Sequence, residues 1–211
     1  MLIGPFRTSP LGVVPKSTPG EFRLVQDFLY PWNNNLQSLL NSEIDTSNLN
    51  CDWGTFQEVS TIVIDAPKDT QAATLDFDAA FRRFPIRPSQ QPNFVIHFNG
   101  LCYIDHVAPF GTASAGFIFG RVADAMMAIL RAHNIGPAKN WVDDFVFFRS
   151  PTRSHHNSPA STSISQIYPY DIDTIDSITR LLGWPWKHTK TKPFSSSFTY
   201  LGFLEVFIVL H

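Results

Sequence analysis

The chain has 211 residues, of which 44% are hydrophobic and only 16% are charged. This composition can bury a core, and it excludes a chain that is disordered over most of its length. The net charge of -2 neither favours nor excludes a nucleic-acid partner, because a cleft can be locally basic inside a nearly neutral protein. The two cysteines, Cys51 and Cys102, exclude a disulfide framework and favour a reducing compartment. We recognise neither a leader pattern nor a run of ~20 apolar residues, so we expect an intracellular protein that is neither secreted nor in a membrane.

Short apolar runs separated by turn residues predict strands and helices along the chain. The dipeptide Asn99–Gly100 between two apolar runs is typical of a hairpin turn. The predicted strands are residues 11–16, 22–27, 72–77, 94–98 and 101–104, and residues 198–203 are predicted to form a final strand and turn. The predicted helices are residues 53–64, 113–135 and 171–182, with a short helical turn at residues 79–84.

Residues 141–148 (WVDDFVFF) place two adjacent acids, Asp143 and Asp144, inside an apolar run. Burying two carboxylates is costly unless a cation compensates them. A tight turn would lift both acids to the end of a hairpin, where a divalent cation such as Mg²⁺ can bind carboxylate oxygens. An Asp-Asp turn without any ligand explains the same stretch equally well, because Asp favours turns.

A second predicted strand, residues 72–77, also ends in acids. If the two strands are neighbours in one sheet, the carboxylates of Asp76, Asp143 and Asp144 meet at one edge. A pair of metal ions held in this way can activate an attacking hydroxyl group and stabilise in-line displacement at a phosphate. The ordered set of acids is therefore a stronger signal for phosphoryl transfer than either acidic stretch alone.

Residues 150–165 are rich in Ser, Thr, Pro and His, and they are predicted to form a flexible polar insertion at the surface. The adjacent pair His155–His156 lacks the i, i+4 spacing of a helical metal site, so solvated loop residues are the better interpretation. The sequence contains no internal repeat.

Five segments carry a set of motifs in a fixed order: residues 75–81 (LDFDAAF), 108–115 (APFGTASA), 141–144 (WVDD), 182–191 (LGWPWKHTKT) and 200–203 (YLGF). They resemble, in that order, the first palm motif, the Pro-Phe-Gly motif, the aromatic-x-Asp-Asp motif, the helix-and-lysine motif and the primer grip of the reverse transcriptases. The resemblance covers nearly all of the chain. Within this family, residues 104–111 (IDHVAPFG) and 121–125 (RVADA) look most like retrotransposons of the DIRS-like, tyrosine-recombinase group.

The resemblance implies an α+β fold with a polymerase palm, which is a ferredoxin-like antiparallel sheet with helices on one face, plus partial fingers. Residues 1–70 would be the partial fingers. Residues 71–211 would be the palm with its polar insertion, within one reverse transcriptase domain overall. The family's thumb and RNase H domain, which belong to the rest of the retroelement polyprotein, are not found in the sequence. We therefore expect a fragment or a decayed transposon copy.

The resemblance also implies roles for individual residues. Asp76, Asp143 and Asp144 would be the catalytic acids and would bind two Mg²⁺ ions, which Mn²⁺ can replace. The residues that would contact the incoming dNTP are Lys16, Arg23, Asp78, Ala79, Phe81, Phe110, Gly111 and Lys190. Lys187 and Lys192 lie close enough in sequence that either can replace the last lysine of this set. The primer grip would be Tyr200, Leu201 and Gly202.

Three of these residues have a second interpretation. Phe81 stands where the family has a steric gate that rejects a 2′-hydroxyl group, but it also suits a core aromatic, and both roles can hold. Without the family, Lys16 and Arg23 would be ordinary exposed charges on a hairpin, although an ammonium and a guanidinium both suit phosphate oxygens.

The function implied is an RNA-directed DNA polymerase that transfers a nucleotide from a dNTP to a primer 3′-hydroxyl group on an RNA or DNA template. The alternative is a catalytically inactive transposon remnant that at most binds nucleic acid. The intact acids favour descent from a working enzyme, whereas the missing thumb favours present inactivity. An RNA-templated RNA polymerase is disfavoured, because Phe81 would exclude ribonucleotides.

Overall fold

The computed structural model describes residues 4–16, 19–30, 40–152 and 167–207, which form short strands and three helices. The strands are β1 Leu11–Pro15, β2 Phe22–Gln26, β3 Gln71–Asp76, β4 Val95–Phe98, β5 Leu101–Ile104, β6 Ala138–Trp141, β7 Asp144–Arg149, β8 Lys192–Ser195, β9 Ser197–Tyr200 and β10 Phe203–Val206. The helices are α1 Phe56–Ile64, α2 Ala115–Ala132 and α3 Ile172–Leu181. None of the helices in these residues is long and apolar enough to cross a bilayer.

The chain divides into two compact units, each built from separate stretches of sequence. The first comprises Met1–Cys51 and Ala79–Arg121, and the second comprises Asp52–Asp78 and Val122–His211. The predicted division at residue 70 does not coincide with this partition. The assignment of fingers to residues 1–70 and palm to the remainder stays a prediction.

The second unit contains a four-stranded antiparallel sheet with the strand order β6-β7-β3-β8. Strands β3 and β7 pair over their whole length, and the pairing ends with Asp76 opposite Asp144. Strand β7 has the sequence DFVFFR, and its four central residues are all buried. Aromatic and β-branched residues favour strands, and a near-continuous apolar run is typical of a strand that is covered on both faces.

One face of this sheet packs on helix α1. Side chains alternate between the two faces of a strand, so Val146 and Phe148 of β7 point to the same side, where they join Val59 of α1 in one cluster. Val59 is fully buried, and Phe198 of β9 packs edge-on against Phe148. Helix α1 was assigned by prediction to the fingers segment, yet it packs on the sheet.

The opposite face of the sheet is covered by aromatic rings. Phe145 and Phe147 of β7 pack edge-on against Trp186, with ring centroids 5.2 and 6.1 Å away. The indole N–H of Trp186 donates a 2.9 Å hydrogen bond to Thr179 Oγ1 of helix α3. Trp184 also contacts Phe145. The segment after α3 therefore closes this face, and the buried Thr179 hydroxyl satisfies the indole N–H of Trp186.

The first unit contains two separate antiparallel hairpins, β1–β2 and β4–β5. The second hairpin turns at Asn99–Gly100, where both residues have positive φ (50° and 74°), as the sequence predicts. Phe28 packs edge-on against Phe94 with ring centroids 5.6 Å apart, and Phe119 of α2 is fully buried.

The predicted α+β class with antiparallel sheets is confirmed, and the corrections concern element bounds. Helix α1 begins at Phe56 rather than at residue 53, because Thr55 caps it. Thr55 Oγ1 accepts a hydrogen bond from the Glu58 N–H, and the Glu58 carboxylate accepts one from the Thr55 N–H. Helix α2 is shorter than the predicted 113–135, and strands β8 and β10 were not predicted.

Most of the predicted polar insertion, residues 150–165, lies outside the described residues, and so does the pair His155–His156. At the base of this segment, the Thr152 N–H donates a 2.8 Å hydrogen bond to the Ile167 carbonyl oxygen.

Candidate active site

The acidic hairpin lies at the end of the four-stranded sheet. Strands β6 and β7 are joined by the two-residue turn Val142–Asp143, which confirms the predicted hairpin. The Phe77 N–H donates a 2.8 Å hydrogen bond to the Asp143 carbonyl oxygen, so the turn is tied to the end of β3. Val142 has a φ of 50°, which is unfavourable for a β-branched residue. Such backbone strain is concentrated at functional sites.

The three predicted acids meet at this end of the sheet but differ in burial. Asp76 is only 6% exposed and lies opposite Asp144 in the β3–β7 pairing. Asp144 is the most exposed of the three, and Asp143 is half-buried in the turn. The register of the β3–β7 pairing therefore places Asp144, at the start of β7, and the adjacent Asp143 next to Asp76 at the end of β3.

Lys190 supplies positive charge to the most buried of these acids. Its Nζ lies 2.7 Å from Asp76 Oδ2. Lys190 ends the short 3-10 turn His188–Lys190, and the Lys187 N–H donates a 2.8 Å hydrogen bond to the Asp76 carbonyl oxygen. The hydrogen bond to Asp76, more than any other contact, raises the pKa of Lys190.

Negative charge accumulates at Asp144. Partial burial first, and then the charges of Asp143 and Asp76, raise the pKa of the Asp144 carboxyl to about 6, although Lys190 opposes the change. Ionising Asp144 beside the other two acids at neutral pH therefore costs free energy, which a bound cation would lower.

An open cleft of about 280 Å³ lies at these residues. It is lined by Thr74, Leu75, Asp76, Asp144, Thr189, Lys190 and Lys192. Within the described ranges, no three His, Cys, Asp or Glu side chains stand close enough together to hold a metal ion as they are. The donor chemistry nevertheless fits a divalent cation, because Mg²⁺ and Mn²⁺ prefer carboxylate oxygen. The Lys190 ammonium group already contacts Asp76 Oδ2, so the site accepts a cation at this oxygen.

In the first unit, three residues predicted to contact a nucleotide contact one another. The Arg23 guanidinium lies over the Phe110 ring, 4.8 Å from its centroid. Phe110 packs edge-on against Phe81 at 5.1 Å, and Phe81 contacts the buried ring of Phe119 at 6.4 Å. Phe81 is partly buried, so it is anchored to the core while part of its ring stays accessible.

The loop at Gly111 is held by close backbone contacts. Gly111 has a φ of 104°, and a Cβ atom there would lie 2.7 Å from the Gln26 carbonyl oxygen. The Asn41 side chain donates to the Gly111 carbonyl oxygen at 2.8 Å and accepts from the Ala113 N–H at 2.9 Å. Asn41 was missed by the sequence analysis, because no local pattern marks a contact between residues 70 positions apart.

The other predicted nucleotide contacts are exposed or already bonded within the protein. Lys16 pairs with Glu21 at 3.0 Å, and both side chains are about half exposed. The Asp78 N–H donates to the Pro185 carbonyl oxygen at 2.9 Å, so it is not free for a phosphate in this conformation. Ala79 is exposed and has a left-handed φ of 56°.

The predicted primer grip contains one core residue and a turn. Tyr200 is 2% exposed, and its hydroxyl group donates a 2.7 Å hydrogen bond to the Gly54 carbonyl oxygen. Leu201 and Gly202 have positive φ (50° and 84°) and form the two-residue turn of the β9–β10 hairpin. Strand β10 then pairs with β9, so the stretch after Gly202 continues the hairpin.

The structure distinguishes the three candidate lysines. Lys190 contacts the carboxylate of Asp76, Lys192 lines the cleft from β8, and the contact of Lys187 with the same acid uses its backbone N–H. Thr74 of β3 also lines the cleft and was missed, because a threonine in a strand carries no functional pattern.

No protein-family model matches the sequence, and no curated protein matches it. Three similar solved structures are all foamy viral enzymes. The foamy viral protease-reverse transcriptase dRH in complex with double-stranded DNA is 17% identical, with a TM-score of 0.68 over 98% of this chain and 31% of that chain. The Prototype Foamy Virus protease-reverse transcriptase CSH mutant is 18% identical, with a TM-score of 0.63 over 97% and 23%. The foamy viral protease-reverse transcriptase in complex with an RNA/DNA hybrid is 18% identical, with a TM-score of 0.57 over 95% and 22%.

This chain spans less than a third of the length of each of these three proteins. At such low sequence identity the likeness shows the fold alone. The chain has a reverse-transcriptase-like fold.

Proposed function

We propose that the chain is the fingers and palm part of an RNA-directed DNA polymerase of a retroelement. It would transfer a nucleotide from a dNTP to a primer 3′-hydroxyl group. The observation that carries this proposal is the pairing of β3 with β7, which places Asp76 opposite Asp144 and next to the Asp143 turn. Within a reverse-transcriptase-like fold, such an acidic strand end suits phosphoryl transfer.

In this proposal, Asp76, Asp143 and Asp144 hold two Mg²⁺ or Mn²⁺ ions. Such ions, when bound, supply positive charge that stabilises the attacking and leaving oxygens. The protein's own contribution is to hold three carboxylates at one strand end through backbone pairing, which keeps their positions independent of flexible loops.

The proposed nucleotide contacts within the first unit are a cation and two rings. Arg23 would face phosphate oxygens, and its contact with Phe110 keeps the guanidinium oriented. Phe110 and Gly111 would flank the nascent base pair, and Phe81 would stand against a 2′-hydroxyl group. Lys16, Ala79 and the Asp78 backbone would add phosphate contacts, which require Lys16 to leave Glu21 and the Asp78 N–H to leave Pro185.

The nucleic-acid partner we propose is a primer on an RNA or DNA template, with the exposed turn at Leu201–Gly202 near the primer. Two of the similar solved structures contain double-stranded DNA or an RNA/DNA hybrid, which is the class of ligand proposed here. Membership of the DIRS-like group, and a thumb and RNase H elsewhere in the same polyprotein, belong to this proposal.

Single-nucleotide extension tests this function directly. A labelled primer is annealed to separate RNA and DNA templates and incubated with excess protein, one dNTP and Mg²⁺ or Mn²⁺. We expect slow addition of one nucleotide, its loss in Asp76→Asn and Asp143→Asn, and its retention in Asp124→Asn. Asp124 is an exposed acid of helix α2 outside the acidic cluster, so it controls for the loss of one negative charge.

A second candidate function is a catalytically inactive remnant that at most binds nucleic acid. One observation favours it: among the described side chains, the acids do not converge into a ready metal site. No extension on either template with either metal, together with retained binding of the duplex, would establish this alternative and contradict the polymerase.

A further inference from the structure

Lys190 and Asp76 form an ion pair whose two members differ sharply in exposure. The Asp76 side chain is 9% exposed, whereas the Lys190 side chain is 57% exposed, and the atoms lie 2.7 Å apart. A buried carboxylate left without a cation is strongly disfavoured. The long lysine side chain can reach this acid from the surface and can return its ammonium group to solvent when another cation takes its place at Asp76.

The position of Lys190 is set by the same residue that it neutralises. The Asp76 carbonyl oxygen accepts the Lys187 N–H at 2.8 Å, and the Lys190 N–H then donates to the Lys187 carbonyl oxygen at 2.9 Å. The backbone of Asp76 therefore anchors the turn whose last side chain returns to its carboxylate. This contact follows from the fold and not from chance approach of two surface charges.

We propose that Lys190 is a built-in counter-cation, which holds Asp76 until a divalent ion displaces it. The inference rests on the proposed function, because it assumes that a divalent ion binds the carboxylate of Asp76 and replaces the Lys190 ammonium there. Lys190 Nζ occupies Asp76 Oδ2, one of the oxygens that Mg²⁺ or Mn²⁺ would need. Two cations on one carboxylate oxygen repel each other, so binding of the metal ion and release of the ammonium are coupled.

The coupling has two consequences for the site. Lys190 already neutralises Asp76, so the burial of this acid does not require a metal ion. A displaced Lys190 then carries its charge into the cleft that it lines, where phosphate oxygens of a nucleotide would attract it. The lysine would thus pass from the acid to the substrate as the metal ion arrives.

Mn²⁺ titration of the 211-residue protein, by calorimetry or by electron paramagnetic resonance of the free ion, tests this exchange. Lys190→Met removes the competing ammonium, and Lys192→Met removes the same charge from the same cleft while leaving the Lys190–Asp76 ion pair in place. We expect Lys190→Met to bind Mn²⁺ about three- to tenfold more tightly than the wild type, as removal of one partly exposed ion pair permits. Lys192→Met should tighten binding by clearly less.

A second measurement needs no variant. Amine-directed acetylation, read by mass spectrometry, should modify Lys190 more slowly than Lys192 in metal-free protein. Addition of Mn²⁺ should raise the rate at Lys190 alone. If Lys190→Met does not fold, Lys190→Arg keeps a cation on Asp76 and should bind Mn²⁺ no more tightly than the wild type.

The outcomes separate the two proposals. Equal Mn²⁺ affinity of Lys190→Met and Lys192→Met, or a Lys190 acetylation rate that Mn²⁺ does not change, overturns the counter-cation while leaving the polymerase intact. Absence of Mn²⁺ binding to every form, Lys190→Met included, overturns both.

Discussion

The acidic end of the four-stranded sheet and the β1–β2 hairpin of the first unit both carry predicted functional residues, but they hold them differently. Asp76 and Asp144 are fixed by a strand pairing whose two faces are covered by α1 and by aromatic rings. Arg23 sits on a two-stranded ribbon whose neighbour Phe22 is 62% exposed. A site built on a covered sheet is preorganised by the core, whereas residues on a largely exposed ribbon have fewer packing contacts to hold them.

The largest expected loss of stability comes from removing one of the rings that cover the sheet. Trp186→Ala should lower the free energy of unfolding by about 3–5 kcal/mol, because it removes a buried ring and leaves the Thr179 hydroxyl without its donor. Phe22→Ala in the ribbon should change it by no more than about 0.5 kcal/mol. Urea denaturation of both variants measures the difference, and equal losses would mean that the ribbon is as well packed as the sheet.

The next effect tests the close approach in the first unit. Gly111→Ala should destabilise by about 2 kcal/mol, because it combines a positive φ with a Cβ placed 2.7 Å from the Gln26 carbonyl oxygen. Gly116→Ala is the matched control, since a Cβ at this position in helix α2 meets nothing within 4 Å. We expect the control to be neutral or slightly stabilising. Similar melting temperatures for the two variants would show that the loop at Gly111 can adjust.

A smaller, pH-dependent effect concerns the cap of helix α1. The hydrogen bond from Lys139, followed by those from Thr55, lowers the pKa of Glu58 to about 2. A lowered folded-state pKa stabilises the protein above the unfolded value near 4.5, and this stabilisation is lost as the pH falls towards 2. Glu58→Gln should cost less than about 1 kcal/mol at pH 7, because the pair is partly exposed and screened.

Thermal melts of the wild type and Glu58→Gln between pH 2 and pH 7 give the measurement. The gap between the two proteins should narrow below pH 4.5 and nearly close by pH 2. A gap that does not vary with pH would mean that the amide replaces the carboxylate in the cap and that the charge contributes nothing.

The smallest effect has the opposite sign. The raised pKa of Asp144, about 6, means that its ionised form is disfavoured in the folded protein. The cost therefore grows as the pH rises from about 4 to 6 and is absent below that window. In metal-free protein at pH 7, Asp144→Asn should raise the melting temperature by up to about 2 °C, since exposure of the carboxylate limits the gain. A lower melting temperature at pH 7 would assign Asp144 a stabilising contact.

Much of the acidic end could be predicted from the sequence because its signals are local. Two acids inside the apolar run 141–148 indicate a turn, and Asn99–Gly100 indicates another, and both hairpins are present. The start of α1 could also have been predicted, because Thr55 and Glu58 have the spacing of a capping box.

What the sequence left open depends on contacts between distant residues. The pairing of β3 with β8 joins Ala72 to Ser195, and Lys190 reaches an acid 114 positions away. No local pattern selects Lys190 over Lys192, because both are exposed lysines near one turn. The burial of Tyr200 could not be predicted either, since its hydroxyl group bonds to the carbonyl oxygen of Gly54, which is distant in sequence.

Strand β3 is paired on both sides, and this position sets the order in which parts of the protein should exchange backbone hydrogens with solvent. Its amides lie between β7 and β8, so they should exchange only through the largest openings. The β1–β2 and β4–β5 amides, each with one partner strand, should exchange orders of magnitude sooner. We therefore expect the β1–β2 and β4–β5 hairpins to unfold and refold many times while the acidic end of the sheet stays folded.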